Sequence, residues 1–177
     1  MPKFRDIPQF TSWGPYQVNL SWTYLEEQLK DWLFPSFGAA LDLDPDFQRA
    51  HVWTQAQQIA YVEYVLKGGR SGRELLLNFS GWNDKFQGPF VLVDGKQRLN
   101  AVRLFLADKL PIFGGNLYSS YTDKLRSVCV DFRVYVNDLE TREQVLTWYL
   151  EINAGGTPHT QEELDRVRDL LKEEQNK

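Results

Sequence analysis

The sequence predicts an α+β domain in which a small mixed sheet packs with helices and further helices form a C-terminal segment. Apolar residues recur at helical spacing in five stretches, and short apolar runs of strand length lie among them. Helices and strands therefore mix along the whole chain, which is typical of the α+β class. The chain has 177 residues, 42% apolar and 14% aromatic, and a chain of this size can bury a substantial core.

The helices follow from periodicity and from capping patterns. Two begin with a capping box: Thr54 with Gln57, and Thr160 with Glu163. In this motif the hydroxyl accepts from an unpaired amide of the first turn, and the side chain three positions on accepts from the backbone amide of the capping residue. Gly68-Gly69 ends the helix that starts behind Thr54. The spacing predicts helices over 22–34, 55–67, about 97–108, about 140–151 and from Gln161 onward.

Three strands are predicted, at 75–79, 90–93 and 128–136. The run 90–93 is apolar throughout, so we expect both of its faces to be covered. The run 128–136 alternates valines and Phe132 with polar residues, which is the pattern of a strand. Gly81–Pro89 and residues 114–123 are predicted to be loops.

Residues 1–20 are rich in proline, aromatic and polar residues and are predicted to form an irregular arm. Together with the short helix after them they make a first unit, 1–40. Residues 41–177 then form the main domain with its C-terminal helices.

Composition excludes several protein classes. The single cysteine, Cys129, cannot form an intramolecular disulfide, and one cysteine with two histidines cannot build a zinc finger. No apolar run reaches membrane-spanning length, and the first residues lack the apolar core of a signal peptide. We therefore expect a cytoplasmic protein with no membrane partner.

The net charge is −4, yet the window from Lys67 to Arg103 holds seven basic and three acidic residues. An acidic chain does not coat nucleic acid by charge alone. The local excess indicates either an anion site or a scatter of solvated charges.

The most informative motif lies where the run 90–93 ends and a helix begins. The residues there are Asp94-Gly95-Lys96-Gln97-Arg98. A helix N-terminus binds anions through its free amides, glycine permits close approach of a ligand, and lysine and arginine add charge. Asp94 could hold Mg²⁺, position a water or cap the helix. In the simpler interpretation Asp94 is the N-cap, Gly95 makes a tight turn and the cations are solvated.

Two further stretches are less specific. Gln48, Arg49 and His51 precede a capped helix, and His51 is more often a surface residue than a catalyst. Asn153, two glycines and His159 precede the last helix, where an anion nest or an ordinary interhelical turn fits the spacing.

Taken in order, the three stretches resemble the N-terminal domain of the GmrSD modification-dependent restriction enzymes, known as domain of unknown function 262. The matching residues are Phe47-Gln48-Arg49 with Trp53, Asp94-Gly95-Lys96-Gln97-Arg98-Leu99, and Ile152-Asn153 with Gly155-Gly156-Thr157 and Glu163-Leu164. The resemblance covers about residues 40–170. It implies a ParB/sulfiredoxin-like fold, in which a Gly-x-x-Arg turn holds nucleotide phosphates.

The resemblance also implies roles for individual residues. The phosphates of a nucleoside triphosphate would bind at Gln48, Arg49, Gly95, Lys96, Arg98 and Asn153. Asp94, Gln97 and Arg98 would be catalytic, with Mg²⁺ at Asp94 if hydrolysis occurs. These residues are expected to converge on one cleft, with Arg98 on the first helical turn.

The chain departs from the family pattern at two positions of the turn. Lys96 replaces the first glutamine of the family motif. Gln97 stands where sulfiredoxins have their catalytic cysteine, which argues against reductase chemistry. His51 and His159 do not form the His-Asn-His nuclease motif that larger relatives contain, so that nuclease is expected to be missing.

Four functions remain open from the sequence. The first is a nucleotide-binding, NTP-hydrolysing protein or switch in DNA restriction, modification or phage–host conflict. The others are a ParB-like nuclease, a phage-type interaction protein that retains only the fold, and a small-molecule or base kinase. Expected partners are a nucleotide, DNA or a DNA-processing protein, and a second copy of the chain.

Overall fold

A five-stranded mixed sheet organises the fold, with helices on both of its faces, and confirms the predicted α+β class. The computed structural model describes residues 2–10, 16–33, 39–50, 52–82, 88–123, 125–154 and 161–176. Its strands are β1 (Tyr16–Ser21), β2 (Leu41–Asp42), β3 (Glu74–Phe79), β4 (Phe90–Asp94) and β5 (Asp131–Asn137). Its α-helices are α1 (Leu25–Leu33), α2 (Gln55–Leu66), α3 (Lys96–Leu106), α4 (Arg142–Ala154) and α5 (Gln161–Gln175).

The strand order is β1-β5-β3-β4-β2. β1 pairs antiparallel with β5, and β3 pairs antiparallel with β4. β5 and β3 are parallel, as are β4 and the two-residue β2. Buried Asn78 links β3 to the segment after β5, since its side-chain amide donates to Leu139 O (3.0 Å) and accepts from Leu139 N (2.9 Å).

Two apolar clusters form, and β4 contributes to both because its side chains alternate between the faces of the sheet. Phe90 and Leu92 belong to the larger cluster, with buried residues of α1, α2 and α3. Val93 belongs to the smaller cluster, with buried residues of α4 and α5, and Val91 packs against it. The prediction that both faces of this run are covered is therefore confirmed.

The irregular arm predicted for residues 1–20 is wrong over 16–20, which form the edge strand β1. Tyr16, Val18 and Leu20 alternate with polar residues, which is the pattern of a strand, but the proline-rich and polar residues before them obscure it; pairing with β5 fixes the conformation. Leu20 and Trp22 are buried in the larger cluster, which also contains Leu41.

The predicted strand 128–136 begins three residues too early. Residues 125–128 form a 3₁₀ turn, and Cys129 has φ +48°, which is incompatible with a strand. Regular pairing therefore starts at Asp131 and extends to Asn137.

Most helix predictions are confirmed to within a few residues. Thr54 and Gln57 form the reciprocal capping box at the start of α2. α3 spans 96–106 and α4 spans 142–154, so Asn153 is the penultimate residue of α4 rather than part of a turn. The second predicted capping residue, Thr160, lies outside the described residues.

Candidate functional site

The turn from β4 into α3 depends on Gly95. This residue is the N-cap of α3 and has φ +107°, a conformation that favours glycine. A Cβ atom here would lie 2.5 Å from Leu75 Cδ2 and 3.1 Å from Glu74 O. Glycine is therefore required by the fold itself, whatever binds at the turn.

The first turn of α3 presents unpaired amides to its surroundings. The N–H groups of Lys96, Gln97 and Arg98 have no intrahelical acceptor, and Gly95 has no side chain to cap them. The interpretation of Asp94 as the N-cap is wrong, because Asp94 is the last residue of β4. Its carboxylate accepts instead from Arg98 Nη2 at 2.6 Å. The amides thus remain available to an anion.

Arg98 lies on the first helical turn, as predicted. Its Nη2 also donates to Glu74 O at 3.0 Å, which ties the guanidinium to β3. Its Nε is buried and has no hydrogen-bond partner among the described residues. Arg98 is thus held in place at the turn with part of its hydrogen-bonding capacity unused.

Lys96 reaches across to the segment before α2. Its Nζ donates to Arg49 O at 3.1 Å and forms a closer ion pair with Asp44. The Asp44 side chain is 78% exposed, so water screens this pair. Lys96 therefore links the turn to segment 44–49.

Gln97 is buried and uses both ends of its amide on the backbone of segment 50–53. Its Oε1 accepts from the amides of Val52 and Trp53, each at 3.2 Å, and its Nε2 donates to Ala50 O at 3.2 Å. With both ends engaged, Gln97 has the geometry of a positioning residue. Its predicted catalytic role stays a prediction.

Gln48 and Arg49 come to the turn from the segment between β2 and α2. The buried Gln48 side chain donates to Leu92 O of β4, and Arg166 of α5 donates to Gln48 O at 2.9 Å. Arg49 is mostly buried, and its nearest carboxylate is Glu163 of α5 at 3.9 Å. Arg49 therefore has a long, weak ion pair.

The last turns of α4 form the opposite wall. Asn153 donates from Nδ2 to Tyr149 O at 2.7 Å. Burial raises the pKa of the Tyr149 phenol to about 12, although the positive charge of Arg49 opposes the shift. Tyr149 is therefore neutral at physiological pH.

These elements enclose a cavity of about 220 Å³, hereafter the turn cavity. The prediction that Gln48, Arg49 and Asn153 converge on the turn is confirmed. Among the described residues, the lining is Gln48, Arg49, Trp53, Val93, Asp94, Gly95, Lys96, Gln97, Arg98, Tyr149, Ile152 and Asn153.

Sequence reasoning left four lining residues out of the predicted site: Trp53, Val93, Tyr149 and Ile152. Trp53 and Ile152 stand in the stretches that resemble the family. Tyr149 and Val93 have the apolar periodicity of core residues. Their sequence positions therefore predict packing in the core and do not indicate that they also line the cavity.

The basic window 67–103 does not form one patch. Of its described members, Lys96 and Arg98 line the turn cavity. Arg73 pairs with Asp131 at 3.2 Å, and Arg103 pairs with Glu26 of α1 at 2.8 Å. The excess positive charge is therefore partly at the turn cavity and partly in structural ion pairs.

The remaining predicted motif residues, His51, His159 and the glycine pair 155–156, lie outside the described residues. Comparison with protein-family models, with curated proteins and with solved structures finds no match for this chain. Among the described residues no helix has both the length and the apolar character needed to cross a bilayer.

Proposed function

We propose that the turn cavity binds the phosphates of a nucleoside triphosphate. One observation supports this above all: residues from three distant segments line one cavity in front of the free amides of α3. The same residues are the ones singled out by the resemblance to the GmrSD-type family. The protein would then act as a nucleotide-binding, NTP-hydrolysing protein in DNA restriction, modification or phage–host conflict.

The charges of the cavity suit a polyanion. Arg49, Lys96 and Arg98 face Asp94, the one acidic residue in the described lining. The positive end of the α3 dipole adds to this field. The carboxylates that pair with Lys96 and Arg49 are, respectively, well exposed and 3.9 Å away, so phosphate oxygens would replace them at low cost.

The size of the cavity fits phosphates better than a whole nucleotide. At about 220 Å³ it is smaller than the roughly 300–1,000 Å³ usual for sites that enclose a drug-sized ligand. The nucleoside would extend out of the cavity, and Trp53 in the lining offers it an aromatic surface.

The donor set fits Mg²⁺ only together with phosphate. No group of three His, Cys, Asp or Glu side chains converges in the described parts of the chain. Mg²⁺ at nucleotide sites is usually held by one or two carboxylates plus substrate phosphates, and Asp94 is the carboxylate in place for this role. When bound, Mg²⁺ would neutralise charge on the phosphates, while Asp94 would orient a water molecule.

Calorimetric titration with the four nucleoside triphosphates, with and without Mg²⁺, tests the proposal. Loss of a charge-assisted hydrogen bond costs about 1.5–3 kcal/mol, so Arg98→Ala should weaken binding roughly 10- to 150-fold. Arg49→Ala, which leaves the Asp94–Arg98 pair intact, should also weaken it. Binding should decrease with salt.

Arg103→Ala is the matched control, because Arg103 lies on the same helix and is also ion-paired, but outside the turn cavity. It should leave the affinity almost unchanged. Absence of binding at millimolar nucleotide, or equal losses for Arg98→Ala and Arg103→Ala, would contradict the proposal and favour an interaction protein.

Turnover assays then separate the remaining functions. Phosphate release identifies a hydrolase, and binding without turnover identifies a switch. Nicking of plasmid DNA without nucleotide would support the ParB-like nuclease alternative, with Asp94 as its carboxylate. The proposal includes a cytoplasmic location in a bacterial cell or infected host, with DNA, a DNA-processing protein or a second copy of the chain as partner.

A further inference from the structure

A second cavity, hereafter the aromatic cavity, lies away from the turn cavity and shares no lining residue with it. Its volume is about 350 Å³, within the usual range for small-molecule sites. It lies between the ends of α2 and α3 and the segment that leads to β5. Among the described residues, its lining consists of Leu66, Phe105, Phe113, Tyr118, Tyr121, Asp123, Leu125 and Val128.

Four aromatic rings surround this space. Phe105 is fully buried, and Tyr118 meets it edge to face with ring centroids 5.4 Å apart. Phe113 and Tyr121 are 39% and 41% exposed. Clustered exposed apolar side chains commonly mark a binding site. The cavity therefore has a closed aromatic end and an open one.

The Phe113 wall is held in a conformation that a bulky residue rarely adopts. Its φ is +44°, in the left-handed region. Its amide donates to Glu63 Oε1 at 2.6 Å, and the bridge between Ile112 and Asn116 closes the turn around it. Strain of this kind persists only where neighbouring groups fix it, and it is concentrated at functional sites.

The chemistry of the lining suits a cation. Lys67 Nζ already lies 5.2 Å from the centroid of the Phe113 ring, and Glu63, 3.8 Å away, balances its charge. Asp123 is the only charged side chain in the described lining of the cavity. Aromatic faces combined with a carboxylate are the usual means of recognising organic ammonium groups.

We propose that the aromatic cavity binds a small organic cation, an ammonium group on a hydrocarbon body. The ammonium lies at the open end, between the Tyr121 ring and the Asp123 carboxylate, because the Phe113 ring already has the Lys67 ammonium over it. The hydrocarbon body packs against Phe105 and Leu66. This site is independent of the proposed nucleotide function.

Three probes of nearly the same shape and different charge test the proposal by calorimetry on the full chain. They are choline, the neutral 3,3-dimethylbutan-1-ol and the anionic 3,3-dimethylbutanoate. Because the open end of the cavity is part-exposed, an ammonium beside the Asp123 carboxylate there should make choline bind about fivefold tighter than the neutral alcohol. Benzyltrimethylammonium, with a larger apolar body, should bind tighter than choline.

Variants identify the site. Asp123→Asn and Tyr121→Ala should each weaken cation binding about fivefold or more. Tyr24→Ala removes another exposed tyrosine, 60% exposed and outside the cavity, and should have no effect. Circular dichroism of each variant verifies the fold, and all three substituted residues are exposed.

Equal binding of choline and the neutral alcohol would overturn the assignment of charge. Tighter binding of the anion than of choline would also overturn the assignment of charge. The anionic probe is included because Lys124 follows Asp123 in the sequence. Absence of binding by both cations at millimolar concentration would overturn the site itself.

Discussion

Replacement of Gln97 by alanine separates positioning from catalysis at the turn cavity. The side chain is 8% exposed and makes three hydrogen bonds of 3.2 Å to the backbone of Ala50, Val52 and Trp53. These bonds fix the backbone of Ala50, Val52 and Trp53 on the first turn of α3. We expect Gln97→Ala to release this backbone and the Trp53 ring that lines the cavity.

The magnitude follows from the number of bonds and their surroundings. A hydrogen bond contributes about 0.5–1.5 kcal/mol net, so three would give roughly 1.5–4.5 kcal/mol. Ala50 and Val52 are exposed, so water can replace part of the hydrogen bonding that their backbone groups lose. We therefore expect the free energy of unfolding to decrease by about 1–3 kcal/mol.

Urea unfolding measures this change, with Gln55→Ala on the exposed first turn of α2 as the matched control. Gln97→Glu retains an acceptor for the amides of Val52 and Trp53 but loses the donor to Ala50. It also places a carboxylate against the Ala50 carbonyl oxygen at a buried position, so it should not restore the stability lost in Gln97→Ala. A Gln97→Ala protein with wild-type stability would refute the positioning role. Lost turnover with unchanged stability and nucleotide affinity would make Gln97 catalytic.

Two further predictions concern stability. Gly95→Ala should lower the free energy of unfolding by about 2 kcal/mol or more, since it combines a positive φ with the Cβ contacts described above. Gly114 has a similar φ of +82° but open space around it. Thermal melts should therefore show a smaller loss of stability for Gly114→Ala than for Gly95→Ala. The folded-state pKa of Tyr149, about 12, exceeds its unfolded value near 10. Its contribution is complete below pH 10 and decreases as the pH rises toward 12. Urea midpoints across this range should therefore fall more steeply for the wild type than for Tyr149→Phe, and parallel curves would contradict the assignment.

The sequence predicted those parts of the fold where local pattern and tertiary environment agree. α2 has a capping box, one apolar face and a glycine pair at its end, and its bounds were predicted to within one residue. The buried run that becomes β4 was recognisable because all its side chains are apolar. The turn after it was recognisable from Gly95.

Other elements depend on contacts that no local pattern reveals. β1 has the alternation of a strand over only six residues, and its place at the edge of the sheet is defined by pairing with β5. β2 has two residues, too few for any periodicity, and exists because β4 offers it a parallel partner. β5 begins later than predicted because Cys129 adopts a positive φ, which its residue type does not predict.

The resemblance predicted that the residues of the turn cavity come together. It did not predict which partners their side chains contact. Nothing in the motif indicates that Lys96 pairs with Asp44, or that Gln97 uses its whole amide on segment 50–53. These contacts join residues about 45 to 50 positions apart, so only the assembled fold defines them.

The separation of the two apolar clusters has a consequence for motion. The floor of the turn cavity, with Gly95 and Arg98, is anchored in the larger cluster through β3, β4 and α3. The opposite wall, with Tyr149 and Asn153, belongs to the α4–α5 hairpin, which rests on the smaller cluster. Local openings follow such cooperative units, so the hairpin should exchange its amide hydrogens before the sheet does. Each such opening would remove one wall of the cavity while the first-turn amides and Arg98 stay in place.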